Sequence, residues 1–247
     1  MSTREKVARL FQICVFFPLY LILKVIFRFE VRGQESLRGI SPRQAIIFAS
    51  NHYGPFDGVI TAVAIAMPWN GFKIGNFLPI RYLAYADYFR WIQFSGPFPF
   101  PISIFVSVWL KLSACIPIKC RRKDQIGKVF IEDVLAPAIK VLNQGGRVFI
   151  FPEGKMSPNG TLQKGKRGVV CMQKETGAPI IPMYLHGTFK MFSWENLKKR
   201  RVSVSFGEPL DNLVIHEDCE LQDMSDCANL VMEEIAGLAK TLNGGEK

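Results

Sequence analysis

His52 and Asp57 lie five residues apart in the stretch Ser50-Asn51-His52-Tyr53-Gly54-Pro55-Phe56-Asp57-Gly58. They offer a proton acceptor and a carboxylate that could orient it. An aspartate accepting from one imidazole nitrogen fixes the tautomer and leaves the other nitrogen free as a base. General-base action of that kind is worth roughly 10²- to 10⁴-fold in rate. On an ideal helix, side chains five residues apart point about 140° away from each other, so the pair could not meet there. The Gly54-Pro55 turn removes that obstacle, because the chain can reverse before the helix begins. Phe56 and Asp57 then fall in a first helical turn, where an aspartate also suits the positive end of the dipole. From the spacing alone, the same residues could equally be a loop histidine and an unrelated helix cap.

The apolar run Ala45–Ala49 reads as a buried strand that ends just before His52. Arg147–Phe151 reads as a second buried strand, and it delivers Glu153 at its end in Phe151-Pro152-Glu153-Gly154. Helices are expected over Phe56–Met67, stopped by Pro68; over Ile126–Asn143, closed by Gly145-Gly146; and over Gln163–Thr176, ended by Gly177. Cys115–Lys119 is expected as a short strand and Ile180–Leu185 as another, while the alternating Arg201–Phe206 suits an edge or half-exposed strand. Ser225–Leu242 reads as a closing helix capped by Ser225. Strands separated by helices imply an α/β fold, with a mostly parallel central sheet flanked by helices. Open sheets of that kind bind ligands beyond the carboxyl ends of their strands, where His52 and Glu153 both fall.

The 247 residues suffice for one large α/β domain. A net charge of +10 favours anionic partners. Nucleic acid is not expected among them, because most of the 20 Phe lie in uncharged runs rather than among basic residues. Charge combined with apolar surface suits an anionic membrane surface instead. None of the six cysteines forms a CxxC pair, and they read as reduced thiols in a cytoplasmic setting. No histidine lies at metal-ligand spacing to them, so no metal is expected.

Residues 1–30 read as an anchoring helical segment and 31–247 as the α/β domain. Leu10–Leu23 carries no charge and is flanked by Arg9 and Lys24. Fourteen helical residues reach only about 21 Å, and Pro18 would kink or break the helix. The segment is therefore expected to dip into one leaflet, with Phe16, Phe17, Leu19, Tyr20 and Leu21 against lipid, and a single spanning helix is the alternative. The result would be a protein associated with the cytoplasmic face of a membrane. Trp91–Leu110 is the longest uncharged run, and its three prolines forbid one continuous helix. It could be buried core, or an apolar wall for a hydrocarbon chain. Lys198-Lys199-Arg200-Arg201 would meet anionic headgroups or solvent.

Asn51-His52 with Asp57, then Phe151-Pro152-Glu153-Gly154, then Lys166-Arg167-Gly168 at a helix start, then the Ile181-Pro182 strand run in order along the chain. In this combination the sequence resembles the glycerolipid acyltransferases, in particular the 1-acylglycerol-3-phosphate acyltransferases. The resemblance implies a catalytic dyad at His52 and Asp57 and a substrate-binding loop at Glu153 and Gly154. It implies an acyl thioester donor, either acyl-CoA or acyl carrier protein, and a lysophospholipid acceptor, with no cofactor. The acceptor it implies is foremost 1-acylglycerol 3-phosphate, with glycerol 3-phosphate or another lyso-lipid as the alternative. Lys119, Arg121, Lys155, Lys166 and Arg167 are the candidates for the acceptor phosphate. Where the family usually reads Glu-Gly-Thr-Arg, this chain has Glu153-Gly154-Lys155-Met156, so Lys155 would stand in as a point charge without a bidentate fork.

Two other chemistries were weighed against this. Gly160–Arg167 nearly matches a phosphate-binding P-loop but ends in Arg167, which cannot ligate magnesium as Ser or Thr would. A metal hydrolase could use His52, Asp57 and Glu153 as ligands. A lipid-binding protein that keeps the fold without the reaction is the non-enzymatic alternative.

Overall fold

The computed structural model describes residues 3–41, 43–67, 77–86, 102–118, 131–199, 201–211, 213 and 221–243. The strands are β1 Glu30–Arg32, β2 Ile46–Ser50, β3 Ile80–Tyr85, β4 Ile116–Ile118, β5 Arg147–Ile150, β6 Ile180–His186 and β7 Ser203–Phe206. The helices are α1 Thr3–Phe27, α2 Asp57–Ala66, α3 Ile102–Leu112, α4 Ile131–Asn143, α5 Gly168–Thr176, α6 Trp194–Lys199 and α7 Leu221–Asn243. The seven strands form one sheet in the order β1-β7-β6-β2-β5-β3-β4. All pairs are parallel except β6 with β7.

The period of two in each strand sorts its residues onto two cores. Ile46, Phe48, Ile80, Phe149 and Ile181 face α1 and α2. Ile47, Ala49, Val148 and Ile180 face α4, α5 and α7. Helix α2 is buried from Ile60 through Ala66, because it is sandwiched between the sheet and α1. A helix apolar on every side needs such a position.

Helix α1 runs unbroken through Pro18, whose ring lies on the exposed outer face. Its inner face, Ala8, Gln12, Phe16, Leu23 and Phe27, is buried at a spacing near four. The Gln12 amide fixes this docking. It donates to the carbonyls of Ile80 (2.8 Å) and Ser113 (3.0 Å) and accepts from the Ile80 N–H (3.0 Å). By length and composition α1 is the described helix long and apolar enough to cross a membrane. Its outer face exposes Val7, Leu10, Phe17, Leu21, Ile22, Val25 and Ile26.

Several expectations are corrected. Helix α5 begins at Gly168 rather than Gln163, because residues 161–166 run as an irregular segment along the β5 loop. Strand β7 is neither an edge nor half-exposed: all four residues are buried between β1 and β6. Ser225 lies inside α7 and not at its start. Strands β1 and β3 and helix α6 were not foreseen. Pro182 lies within a central strand, between the Ile180–Leu210 bridge and the start of the β7 ladder at Met183. Its missing N–H therefore falls where pairing on that side is interrupted. Residues 126–130 of the expected fourth helix and 91–101 of the apolar run lie outside the described residues, and α3 supplies the rest of that run.

Candidate active site

Strand β2 ends at Ser50 and its neighbour β5 ends at Ile150, in parallel register Ala49↔Ile150. His52 and Glu153 thus emerge side by side at one edge of the sheet. His52 Nδ1 lies 3.0 Å from Asp57 Oδ2, and the same oxygen accepts the backbone N–H groups of Tyr53 (2.5 Å) and Gly54 (2.7 Å). The sharp turn is possible because Gly54 has no side chain: an added Cβ would stand 2.8 Å from the Thr188 carbonyl oxygen. Asp57 is fully buried, whereas the His52 side chain is 21% exposed. With Nδ1 committed to Asp57, Nε2 has no hydrogen-bond partner among the described residues. Two buried oxygens beside Gly54, Asp57 Oδ1 and Thr188 Oγ1, also have none.

The loop after β5 grips the same histidine by its backbone. Glu153 Oε1 accepts the His52 N–H (3.0 Å), and the Ser157 N–H donates to the His52 carbonyl (2.7 Å). Gln163 holds the other Glu153 oxygen (2.8 Å), and the Tyr85 hydroxyl donates to the Gly154 carbonyl (2.9 Å). Burial raises the Glu153 pKa, opposed by the hydrogen bonds from His52 and Gln163. The imidazole stacks on Phe151, with ring centroids 4.0 Å apart and planes 11° from parallel. On the far side, Asn51 bridges to β6: its amide donates to the Leu185 carbonyl (2.9 Å) and its oxygen accepts the Leu185 N–H (2.7 Å). Three adjacent strands therefore fix one imidazole, and Nε2 is its nitrogen without a partner among the described residues.

The family description "Acyltransferase" matches residues 28–186, which include both loops. The chain belongs to the acyltransferase family. Over 109 residues it is 29% identical to a chloroplastic 1-acyl-sn-glycerol-3-phosphate acyltransferase of Brassica napus, covering 44% of this chain and 29% of that protein. Over 103 residues it is 32% identical to the chloroplastic enzyme of that description from Arabidopsis thaliana, covering 42% and 27%. The match spans less than a third of the length of either relative. The crystal structure of the 1-acyl-sn-glycerophosphate acyltransferase PlsC from Thermotoga maritima shares the fold. There the TM-score is 0.56 at 18% identity, over 98% of this chain and 83% of that one.

The family motifs sort into different tasks. Glu153, expected in the substrate-binding loop, is 1% exposed, and both its oxygens are taken by donors of the chain itself. Gly154 adopts φ +69°, and the Lys166 amino group lies 2.7 Å from where its Cβ would be. Lys166 thus reaches over this loop from an exposed position, while Lys155 is exposed beside it. Arg167 is half-buried at the N-cap position of α5. Lys119 and Arg121 lie outside the described residues. Of the five α1 residues expected against lipid, Phe17 and Leu21 face outward. Leu19 and Tyr20 are half-buried, and Phe16 lies in the core at 3% exposure, because it falls on the docked face.

Asn51, Phe151, Gln163, Tyr85 and Thr188 carried no assigned role in the sequence. Asn51 and Phe151 are themselves part of the quoted motifs, and their place there could have flagged them. Gln163 was hidden by its assignment to a helix, and Tyr85 by the missed β3. Among the described residues no three His, Cys, Asp or Glu side chains converge as metal ligands do. The carboxylates of Asp57 and Glu153 serve His52 instead.

Proposed function

We propose that the protein transfers a fatty acyl group from an acyl thioester, acyl-CoA or acyl carrier protein, to the free hydroxyl of a lysophospholipid. 1-Acylglycerol 3-phosphate is the favoured acceptor and phosphatidate the product. The observation that carries this reading is the 3.0 Å contact of His52 Nδ1 with buried Asp57, which leaves Nε2 open at the rim of the sheet. His52 Nε2 takes the acceptor's proton as its oxygen attacks the thioester carbonyl. The tetrahedral intermediate then collapses, the C–S bond breaks, and the departing sulfur takes the proton back from the imidazolium. Asp57 stabilises that imidazolium. The Gly58 N–H at the start of α2 is the candidate to hold the oxyanion, since those of Asp57, Val59 and Ile60 already donate to carbonyls of the chain. Lys155, Lys166 and Arg167 are the described cations near the Glu153 loop for the acceptor phosphate.

Lipid approach is supported by an apolar shelf beside the dyad. Exposed Phe56 and Phe192 meet edge to face at 5.4 Å, and Phe192 meets Phe27 at the end of α1. The outer face of α1 continues that surface. We place it in one leaflet of the membrane, on the cytoplasmic face, where reduced thiols such as Cys14 and Cys115 would persist.

The test offers acyl-CoA with a panel of acceptors in liposomes and measures free thiol. Release that depends on 1-acylglycerol 3-phosphate and exceeds that with glycerol 3-phosphate or lysophosphatidylcholine supports the reading. Liposome binding without acceptor-dependent release would instead favour a lipid-binding protein.

A further inference from the structure

The opposite edge of the sheet carries a second concentration of charge. Arg147 opens β5 in register with Ile80, on the face where α1 packs. It is 8% exposed, and its Nε and Nη2 have no hydrogen-bond partner among the described residues. Arg81, also 8% exposed, is held by Glu5 of α1 (2.5 Å), and its Nη1 lies 2.9 Å from where a Gly146 side chain would begin. Arg9, one helical turn after Glu5, is close enough to repel Arg147. Burial first, then Arg81 and Arg9, lower the Arg147 pKa to about 10, against the opposing pull of Glu5. Among the described residues, the three guanidinium groups that interact here thus have one carboxylate near them, that of Glu5, which is already bound to Arg81.

A buried guanidinium with open N–H groups is costly unless an anion completes it. Planar forks of N–H donors match the oxygens of a phosphate group, which can bridge several at once. Arg9 is half-buried at the rim, so a ligand can enter beside the first turns of α1. Val7 and Leu10 are exposed on that stretch of helix. An acidic lipid headgroup and a free phosphate share the required chemistry.

We propose that Arg147, Arg81 and Arg9 form a phosphate-type anion site at the foot of the sheet, separate from the His52 edge. The full chain, in detergent, is titrated with inorganic phosphate at constant ionic strength while its thermal midpoint is followed. The wild type is compared with Arg147→Met and Arg9→Gln, the second being a half-exposed position that keeps the test alive if the first does not fold. The expected result is a rise in midpoint whose apparent phosphate affinity falls about tenfold in Arg147→Met and several-fold in Arg9→Gln. A parallel arm measures binding to phosphatidylcholine vesicles with and without phosphatidic acid. Loss of the preference for acidic vesicles in both variants identifies a headgroup. Lost phosphate response with unchanged vesicle binding identifies a soluble phosphate. If neither the phosphate response nor the acidic-vesicle binding depends on Arg147 or Arg9, the site does not exist.

Discussion

At the carboxyl edge of the sheet, Asp57 and Glu153 are almost wholly buried, yet three donors converge on one Asp57 oxygen and each Glu153 oxygen has its own. At the opposite edge Arg147 is nearly as buried, and two of its nitrogens face no acceptor among the described residues. At the first edge the chain's own donors occupy one Asp57 oxygen and both Glu153 oxygens, which holds the His52 imidazole in one orientation. Among the described residues, Asp57 Oδ1 and Thr188 Oγ1 are the buried polar atoms left open there. At the second edge the chain leaves positive charge that only an added anion can satisfy. Helix α1 joins the two, with Glu5 at the arginines and Phe27 beside the aromatic shelf next to the dyad.

Asp57→Ala should produce the largest effect. It removes the acceptor for the Tyr53 and Gly54 N–H groups as well as the orienting partner of His52. Urea unfolding should show a loss of about 2–4 kcal/mol. Acceptor-dependent thiol release should fall by roughly 10²- to 10⁴-fold.

Glu153→Gln should come next. An amide cannot accept at both oxygens, so either the His52 N–H or the Gln163 amide loses its partner, and turnover should drop about 10- to 100-fold. This variant also isolates a pH effect. A carboxyl whose folded pKa is raised binds more protons folded than unfolded. Stability from this group is therefore highest below the unfolded pKa, and it falls as pH rises through the raised folded value. The thermal midpoint of the wild type, measured relative to Glu153→Gln, should decline with rising pH above about 4.3, the ordinary glutamate value. A relative rise would contradict a buried, desolvated Glu153.

Arg147→Met should show the smallest loss, and it sharpens the comparison because its sign differs. In phosphate-free buffer its stability should equal or exceed that of the wild type by about 1 kcal/mol, since an apolar side chain removes an uncompensated buried charge. A loss of 3 kcal/mol or more in urea unfolding would mean that the foot is already satisfied and that no anion is needed there.

The chemistry was more legible in the sequence than its support. Short apolar runs ending at His52 and Glu153 identified two parallel strands, because buried strands are near-continuous in Val, Ile, Phe and Ala. Strand β3 escaped notice because Arg81 and Tyr82 interrupt its apolar pattern and the pairing that makes it a strand is long-range. Strand β7 alternates polar and apolar residues, yet it is buried: Ser203 and Ser205 lie inside the sheet, a tertiary outcome that period alone cannot give. Gln12 sat unnoticed in a greasy segment, although its amide is what ties α1 to the sheet. The dyad's contact needed only a local turn. The grip of Glu153 on the His52 backbone spans 101 residues, and only the sheet order reveals it.

In the proposed reaction the Nε2 atom of His52 is the base. Acceptor-dependent thiol release from acyl-CoA, measured for His52→Ala beside its circular dichroism and thermal midpoint, tests this most directly. Turnover should fall roughly 10²- to 10⁴-fold while fold and midpoint stay close to wild type. A folded His52→Ala protein that turns over at the wild-type rate would contradict the account.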